Sequence, residues 1–182
     1  TDCASGIIFR DMAITLYPSE KGNKSKTPKI SSKSVIANNK IEITDKKYKN
    51  VNYGIQLLGE YRSKKKGKIP KGDYRVYGVQ VYGNEITLKN ASYGIWLNGT
   101  GKIHVNNNVI NMQVPKKASG KSGGTVVRVI SSKGSRINGN TIINTSKNKN
   151  KKLYRGIELI GKKAGSASGN KFKGFAKKQQ TI

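Results

Sequence analysis

The chain has 182 residues, with 36 lysines and arginines against 9 aspartates and glutamates, and a formal net charge of +27 at pH 7. This excess excludes an ordinary balanced surface and indicates a polyanionic partner, because a field of one sign attracts opposite charges over long distances. The single cysteine, Cys3, excludes an internal disulfide and a cysteine-rich metal site. No apolar run reaches the roughly 18 residues of a membrane span, so we expect no membrane insertion.

Pairs of apolar residues at alternate positions recur along the chain, which is the pattern of short β-strands with one face inward. Two such pairs flank a central asparagine in the repeats of Asn84 and Asn108, and the other asparagines keep at least one apolar residue of each pair. In the first repeat a methionine takes the central position. In chain order these central residues are Met12, Asn39, Asn84, Asn108, Asn140 and Asn170. A third pair per repeat is Ile55/Leu57, Ile95/Leu97, Val127/Val129 and Ile157/Leu159.

The spacing between the third pair and the asparagine is constant. Ile95 precedes Asn108, Val127 precedes Asn140 and Ile157 precedes Asn170 by 13 residues in each case. Self-similarity at a fixed period is typical of stacked repeats. Three short strands in about 24 residues predict an all-β chain, folded as a right-handed, single-stranded parallel β-helix of about five to six coils.

The asparagines are predicted to be structural. A corner between two strands must turn the backbone, and asparagine tolerates the left-handed region better than most residues. The residue before each one is asparagine or glycine, which also suits a sharp bend. We therefore expect their side chains to stack as a hydrogen-bonded ladder inside one corner, rather than to bind a ligand.

Three segments carry a resemblance to a known superfamily: YGIWLNGTGKIHVNNNVINM (93–112), RVISSKGSRINGNTIINT (128–145) and GIELIGKKAGSASGNKFKGF (156–175). They resemble the pectate lyase-like right-handed β-helix superfamily, and the resemblance covers most of the chain in architecture. The superfamily includes polysaccharide lyases, polygalacturonases, alginate epimerases, phage tailspikes and non-catalytic structural β-helices. The resemblance thus implies the fold and leaves the chemistry open.

Residues 1–182 are interpreted as one β-helix domain, and we expect a processed or excerpted piece of a larger protein or assembly. Most of the lysines and arginines fall outside the minimal repeat, in insertions and in the tail after Gly161. The insertions are 17–33, 45–52, 60–76, 113–124 and 146–153. Several enter at the same place in the repeat, which predicts a lysine-rich edge.

A binding stripe is predicted on the outward face of the third strand, beside that edge. Its expected members are Gln56, Trp96, Arg128 and Glu158, preceded by Tyr53, Tyr93 and Arg155. Spaced about 4.8 Å apart on neighbouring strands, they would form a platform for a sugar ring and its carboxylate or sulfate. Because the stripe points away from the core, we expect Trp96→Ala and Arg128→Ala to leave folding undisturbed. The alternative is that Trp96 packs under a loop.

Catalytic residues stay unknown at this stage. Glu42, Glu85 and Glu158 fall on different faces or distant repeats, which disfavours hydrolysis by paired carboxylates. The single histidine, His104, has no aspartate nearby and is interpreted as a surface residue. Any enzymatic activity is therefore expected to be that of a lyase, with Arg128, Lys133, Arg136 and Arg155 as weak candidates by position. No cofactor or metal is predicted.

Two classes of function remain. The first is a β-helix that recognises an acidic polysaccharide, either binding it alone or also cleaving it by β-elimination. The second is a non-catalytic structural β-helix of a larger assembly such as a virion capsid or tail component, with nucleic acid as a further polyanion. Stacked repeats need caps, so further protein is expected to cover the solenoid ends. An extracellular or virion-associated location is favoured.

Overall fold

The computed structural model describes residues 5–10, 34–43, 53–58, 76–89, 93–113, 124–146, 155–175 and 177–181. Every helix or strand assigned in these ranges is a β-strand, as the alternation of apolar residues predicts. The strands are β1 (Ser5–Arg10), β2 (Val35–Ala37), β3 (Lys40–Ile43), β4 (Tyr53–Leu58), β5 (Gln80–Tyr82), β6 (Glu85–Lys89), β7 (Tyr93–Asn98), β8 (His104–Asn106), β9 (Val109–Gln113), β10 (Thr125–Ile130), β11 (Ser135–Asn138), β12 (Thr141–Asn144), β13 (Arg155–Ile160), β14 (Gly165–Ser168), β15 (Lys171–Lys173) and β16 (Lys177–Thr181).

These strands form three parallel sheets. The first sheet has the order β1-β4-β7-β10-β13-β16, the second β14-β11-β8-β5-β2, and the third β15-β12-β9-β6-β3. Every third strand along the chain therefore joins the same sheet, and each pairs in parallel with its equivalent in the next repeat. This arrangement is compatible with a parallel β-helix, because one repeat contributes one strand to each sheet.

The repeat positions of the sequence are also the register positions of the structure. In the first sheet Ile55 pairs with Ile95, Ile95 with Val127, and Val127 with Ile157. These apolar side chains, and those of the other two sheets, are buried in one continuous core. Side chains without exposed surface include Ile55, Leu57, Ile86, Ile95, Leu97, Ile103, Ile110, Met112, Ile137 and Ile142.

The asparagine ladder is confirmed. Each side-chain amide donates to the next asparagine's Oδ1, from Asn39 to Asn84 at 2.9 Å, Asn84 to Asn108 at 2.8 Å, Asn108 to Asn140 at 2.9 Å and Asn140 to Asn170 at 2.9 Å. The same oxygens accept the backbone N–H of the preceding member, at 2.9–3.1 Å. The three central side chains are buried with their polar groups satisfied, as a buried amide requires.

The backbone turn lies one residue earlier than the asparagine itself. Positive φ angles occur at Asn38 (57°) and Asn107 (53°), and at the equivalent glycines of the other repeats, Gly83, Gly139 and Gly169. The expectation that the ladder asparagine adopts the left-handed region is therefore wrong. The residue before each ladder asparagine is Asn or Gly because this preceding residue makes the turn. The ladder side chain is then free to point inward.

Several sequence predictions concern residues outside the ranges that the structure describes. The first ladder position, Met12, lies outside the described residues. So do nearly all of the lysine-rich insertions, of which only terminal residues such as Val76, Gln113 and Gly124 are described.

Candidate binding site

The four residues of the predicted stripe are neighbours on the outer face of the first sheet. Gln56 of β4 is in register with Trp96 of β7, Trp96 with Arg128 of β10, and Arg128 with Glu158 of β13. A second row runs parallel to it through Tyr53, Tyr93, Thr125 and Arg155. The structure thus brings together the four predicted stripe residues and the three residues predicted to precede them.

The two rows share one face because the strand does not alternate strictly at its start. A Cβ placed on Gly54 would lie 2.7 Å from Ile86 Cγ2, and one on Gly94 would lie 2.9 Å from Ile110 Cγ2, so these positions point into the core. The next residue of each strand, Ile55 or Ile95, also points inward. Residues three apart, such as Tyr53 and Gln56, consequently lie on the outer face together.

Three aromatic rings are stacked on this face. Trp96 lies 4.8 Å from Tyr53 with an interplanar angle of 10°, and 5.8 Å from Tyr93 with an angle of 18°. The two tyrosine rings are 5.6 Å apart and nearly parallel. Ring separations of this size are typical of stabilising aromatic pairs. Trp96 and Tyr53 each keep part of their surface exposed, whereas Tyr93 is buried. The indole Nε1 is itself buried without a hydrogen-bond partner, so the accessible part of Trp96 is apolar ring surface.

The guanidinium of Arg128 adjoins the aromatic rings. Its Cζ lies 5.5 Å from the centre of the Tyr93 ring, and its Nη1 donates a hydrogen bond of 2.5 Å to the Tyr93 hydroxyl. On its other side Nε lies 3.1 Å from Glu158 Oε2, close enough for an ion pair but outside hydrogen-bond geometry. The side chain keeps 21% of its surface exposed, although its Nε is buried, so these contacts orient a side chain that still has surface in contact with solvent.

Glu158 lies between two arginines. Its Oε1 accepts a hydrogen bond of 2.7 Å from Arg155 Nη1, and Oε2 accepts a longer one of 3.4 Å from the Thr125 hydroxyl. Glu158 is only 3% exposed and Gln56 only 5%. The sequence predicted both residues as part of an exposed platform. Both lie in the outward row but are buried, and Glu158 contacts the arginines rather than solvent.

The pKa of Tyr53 is raised above its ordinary value of 10.0, chiefly because burial disfavours the charged phenolate and further because the Tyr93 phenol is close. Arg128 acts in the opposite direction, and the net shift remains upward. Tyr53 is therefore a neutral phenol at physiological pH. Its ring presents an uncharged stacking surface beside Trp96.

The four weak catalytic candidates do not form one cluster. Arg128 and Arg155 meet at Glu158. Lys133 follows β10 and Arg136 belongs to β11 in the second sheet, both exposed. Glu42 and Glu85 lie exposed on the paired neighbouring strands β3 and β6 of the third sheet, two residues apart in register. The expectation that they fall on different faces or distant repeats is therefore wrong for this pair, whereas Glu158 lies apart from both in the first sheet.

His104 is half-buried on β8, where its Nδ1 lies 3.3 Å from Gln80 Nε2. Its register partners are Gln80 and Arg136. No carboxylate of the described residues bonds or pairs with the ring, so an acid–base pair of the His–Asp type is not present in that part of the chain.

Sequence reasoning missed Thr125, which contacts the buried carboxylate. The signal was present, since Thr125 occupies the position of Tyr53, Tyr93 and Arg155 in its own repeat. A threonine at that position does not indicate a binding site in the way that an aromatic residue or an arginine does.

Comparisons with known proteins add no assignment. No protein-family model matches the chain, no curated protein matches it significantly, and no solved structure matches it significantly. The likeness to the pectate lyase-like superfamily therefore remains a resemblance of pattern.

Across the ranges that the structure describes, no helix is long and apolar enough to cross a membrane. Within those same ranges, no group of three or more His, Cys, Asp or Glu side chains is arranged to hold a metal ion.

Proposed function

We propose that the chain is a right-handed, single-stranded parallel β-helix of about five to six coils that binds an acidic polysaccharide on the outer face of its first sheet. Three parallel sheets joined by every third strand support the fold, since parallel crossovers are right-handed in nearly all proteins. The net charge of +27 supports a polyanionic ligand.

The observation that carries the proposal is the partly exposed indole of Trp96 beside the oriented guanidinium of Arg128. An acidic sugar residue has an apolar ring face and a carboxylate or sulfate on its edge. Stacking on Trp96 accommodates the ring, and a guanidinium one strand away provides charge-assisted hydrogen bonds to the anion. Tyr53 and Tyr93 lie against the indole and fix its orientation.

Charge balance in the cluster also favours an anion. Arg128 and Arg155 carry two positive charges, and Glu158 supplies one negative charge between them. The cluster therefore has one net positive charge, and the buried carboxylate holds both guanidinium groups in place. In this proposal Glu158 and Gln56 support the binding surface, and Trp96 and Arg128 contact the ligand.

Trp96 is the single tryptophan of the chain, so its fluorescence reports binding directly. We expect alginate and heparin oligosaccharides to change this fluorescence, and a neutral oligosaccharide of equal length to leave it unchanged. Affinity should fall steeply between low and physiological salt, because binding releases counterions. Unchanged fluorescence with every acidic oligosaccharide, or an affinity that is insensitive to salt, would contradict the proposal.

Cleavage by β-elimination is a separate arm of the experiment. In this reaction a base removes the proton next to the sugar carboxylate, and the glycosidic C–O bond breaks to leave an unsaturated sugar. Arg128 and Arg155 have the charge to neutralise that carboxylate, and no residue of the cluster is assigned as the base. The ultraviolet absorbance of the unsaturated product distinguishes a lyase from a protein that only binds.

A structural role in a larger assembly is the second candidate. It is favoured by the edge strands β14 and β15, each of which has a neighbour on one side only among the described residues. Further protein covering that end would pair these edges. Light scattering of the chain alone, and with the oligosaccharides, distinguishes the two candidate functions. A polymer that forms without ligand supports the structural role, and a monomer that binds ligand supports polysaccharide binding.

A further inference from the structure

A second cationic surface lies away from the aromatic cluster, on the second sheet and on the corner that leads into it. Its exposed cations come from three successive repeats and lie between the first and second sheets or on β11. They are Lys102, Lys133, Arg136, Lys162 and Lys163. We call this set the basic corner.

The backbone register places three of these lysines next to one another. Lys102 N donates to Lys133 O at 2.8 Å, and Gly134 N donates to Lys163 O at 2.8 Å. Neighbouring strands are about 4.8 Å apart, so like charges are stacked at close spacing along the direction in which the repeats succeed one another. Arg136 continues the surface on β11, in register with the half-buried His104.

Within the described ranges, no carboxylate pairs with a cation of the basic corner. Residues 76–84, 98–108, 130–140 and 160–171, which build this side of the molecule, contain no aspartate or glutamate. Among the described residues, the ion pairs are those of Glu158 with Arg128 and Arg155, on another sheet. Lys102 is placed over the Tyr77 ring, 5.4 Å from its centre, a contact that orients the ammonium without cancelling its charge. A row of like charges is costly unless an external anion lies along it.

We propose that the basic corner and the adjoining face of the second sheet are a second binding site for a sulfated or carboxylated polysaccharide. The site is independent of the Trp96 cluster and shares with the proposed function only the class of ligand. A chain of sugars would lay its anionic groups along the lysines, and its hydroxyls on the outward polar side chains of the sheet. Those side chains are Gln80, Asn106, Asn138 and Ser168.

A polysaccharide fits this face better than a single-stranded nucleic acid. Successive bases stack on successive aromatic side chains, whereas the two described tyrosines of this site, Tyr77 under Lys102 and Tyr82, belong to the same repeat. Tyr82, 41% exposed, is in register with Ala37 and Asn106, so no aromatic row continues from it. The amide and hydroxyl groups around it match sugar hydroxyls instead. Lysines act as point charges, which suits anions spaced irregularly along a sugar chain.

The test compares two double variants with the same loss of charge. Lys133→Gln with Arg136→Gln removes two cations from the basic corner, and Lys40→Gln with Lys89→Gln removes two exposed cations from the third sheet. Binding of a defined heparin oligosaccharide is followed by calorimetry, which counts all sites, and by Trp96 fluorescence, which detects the aromatic site. Circular dichroism confirms that each variant folds.

We expect the parent to bind a second oligosaccharide that calorimetry detects and fluorescence does not. The basic-corner variant should weaken that second event about tenfold, because two counterion-releasing contacts are lost, and should leave the fluorescence titration unchanged. Equal weakening in the third-sheet variant, or one binding event in the parent that coincides with the fluorescence change, overturns the proposal. If fluorescence never changes but the basic-corner variant loses calorimetric binding, the aromatic site fails and the second site stands. Tighter binding of a single-stranded DNA of equal charge, lost in the same variant, overturns the choice of polysaccharide.

Discussion

Trp96 and Tyr53 are stacked 4.8 Å apart, although they are not register partners. Tyr53 is paired with Tyr93, and Trp96 with Gln56. The contact is diagonal because both Gly54 and Ile55 point inward, so that Tyr53 emerges on the same face as Gln56 and leans toward the neighbouring strand. This contact joins two separate rows of the sheet into one aromatic surface.

Trp96→Ala should weaken binding of acidic oligosaccharides by about 1–3 kcal/mol, the range for loss of an aromatic stacking partner. The chain should still fold, since the indole is partly exposed and outside the core. Ile95→Ala, at the adjacent inward position, is the matched control and should cost about 2–5 kcal/mol of stability. Calorimetric affinity and urea unfolding followed by circular dichroism measure the two effects, and parent-like affinity in Trp96→Ala would contradict a stacking role.

Arg128→Ala should reduce both affinity and stability. From sequence alone we expected folding to be undisturbed, but Glu158 is 3% exposed and would lose one of its two cationic partners. Leaving a buried acceptor with fewer partners costs about 1–3 kcal/mol. In the Arg128→Ala, Glu158→Gln double variant, most of that stability should return while the affinity stays low. Full stability in Arg128→Ala alone would show that Arg155 and Thr125 suffice for the carboxylate.

Asn108→Ala should be strongly destabilising. Its amide donates to Asn140 Oδ1, Val81 O and Asn106 O, and its Oδ1 accepts from Asn84. Several buried groups would lose a partner together, so we expect a loss of about 3 kcal/mol or more. Asn111→Ala, on the outward face of β9, should change stability by under about 0.5 kcal/mol. Denaturant unfolding of the two variants compares them, and equal stability would exclude a stabilising ladder.

Gly139→Ala should be destabilising because of a specific neighbour. Gly139 has φ of 64°, and a Cβ there would lie 2.5 Å from Asn107 Oδ1 in the preceding repeat. The strain and the contact together should cost about 1–3 kcal/mol. Adding Asn107→Gly removes the contact and keeps the strain, so the double variant should recover part of the loss. A double-mutant cycle with no coupling energy would show that the backbone angle alone decides this position.

Tyr53 should titrate later than an ordinary tyrosine. Because its folded pKa is raised above 10.0, the folded chain holds the proton more tightly than the unfolded chain does. The corresponding stability is fully present below pH about 10 and is lost as pH rises through the folded pKa. The difference in ultraviolet absorbance between the parent and Tyr53→Phe isolates this phenol, and stability measured across the same range should fall less steeply in the variant. A Tyr53 phenol that ionises below pH 10 would contradict the buried position.

The fold follows from local features of the sequence to a large extent. Alternation of apolar residues predicts the strands, and the constant spacing between Ile95 and Asn108, repeated twice more, predicts which strands share a sheet. The buried asparagines can be predicted for the same reason, since an inward polar side chain that recurs in every repeat can bond to its own copy in the next repeat. The turn residue was misplaced by one position, because the identity of a residue does not show which of two adjacent peptides carries the positive φ.

Sequence alone determined that Gln56, Trp96, Arg128 and Glu158 occupy the outer face of the first sheet, because inward and outward positions alternate along a strand. Only the tertiary structure decided which of those side chains are buried and which partners they contact. No packing rule fixes the direction of a long side chain on an outer face, so the burial of Glu158 between Arg128 and Arg155 depends on distances across strands. The stack of Tyr53 on Trp96 depends equally on the inward-pointing Gly54, whose effect appears only when the core residue Ile86 is in place beneath it.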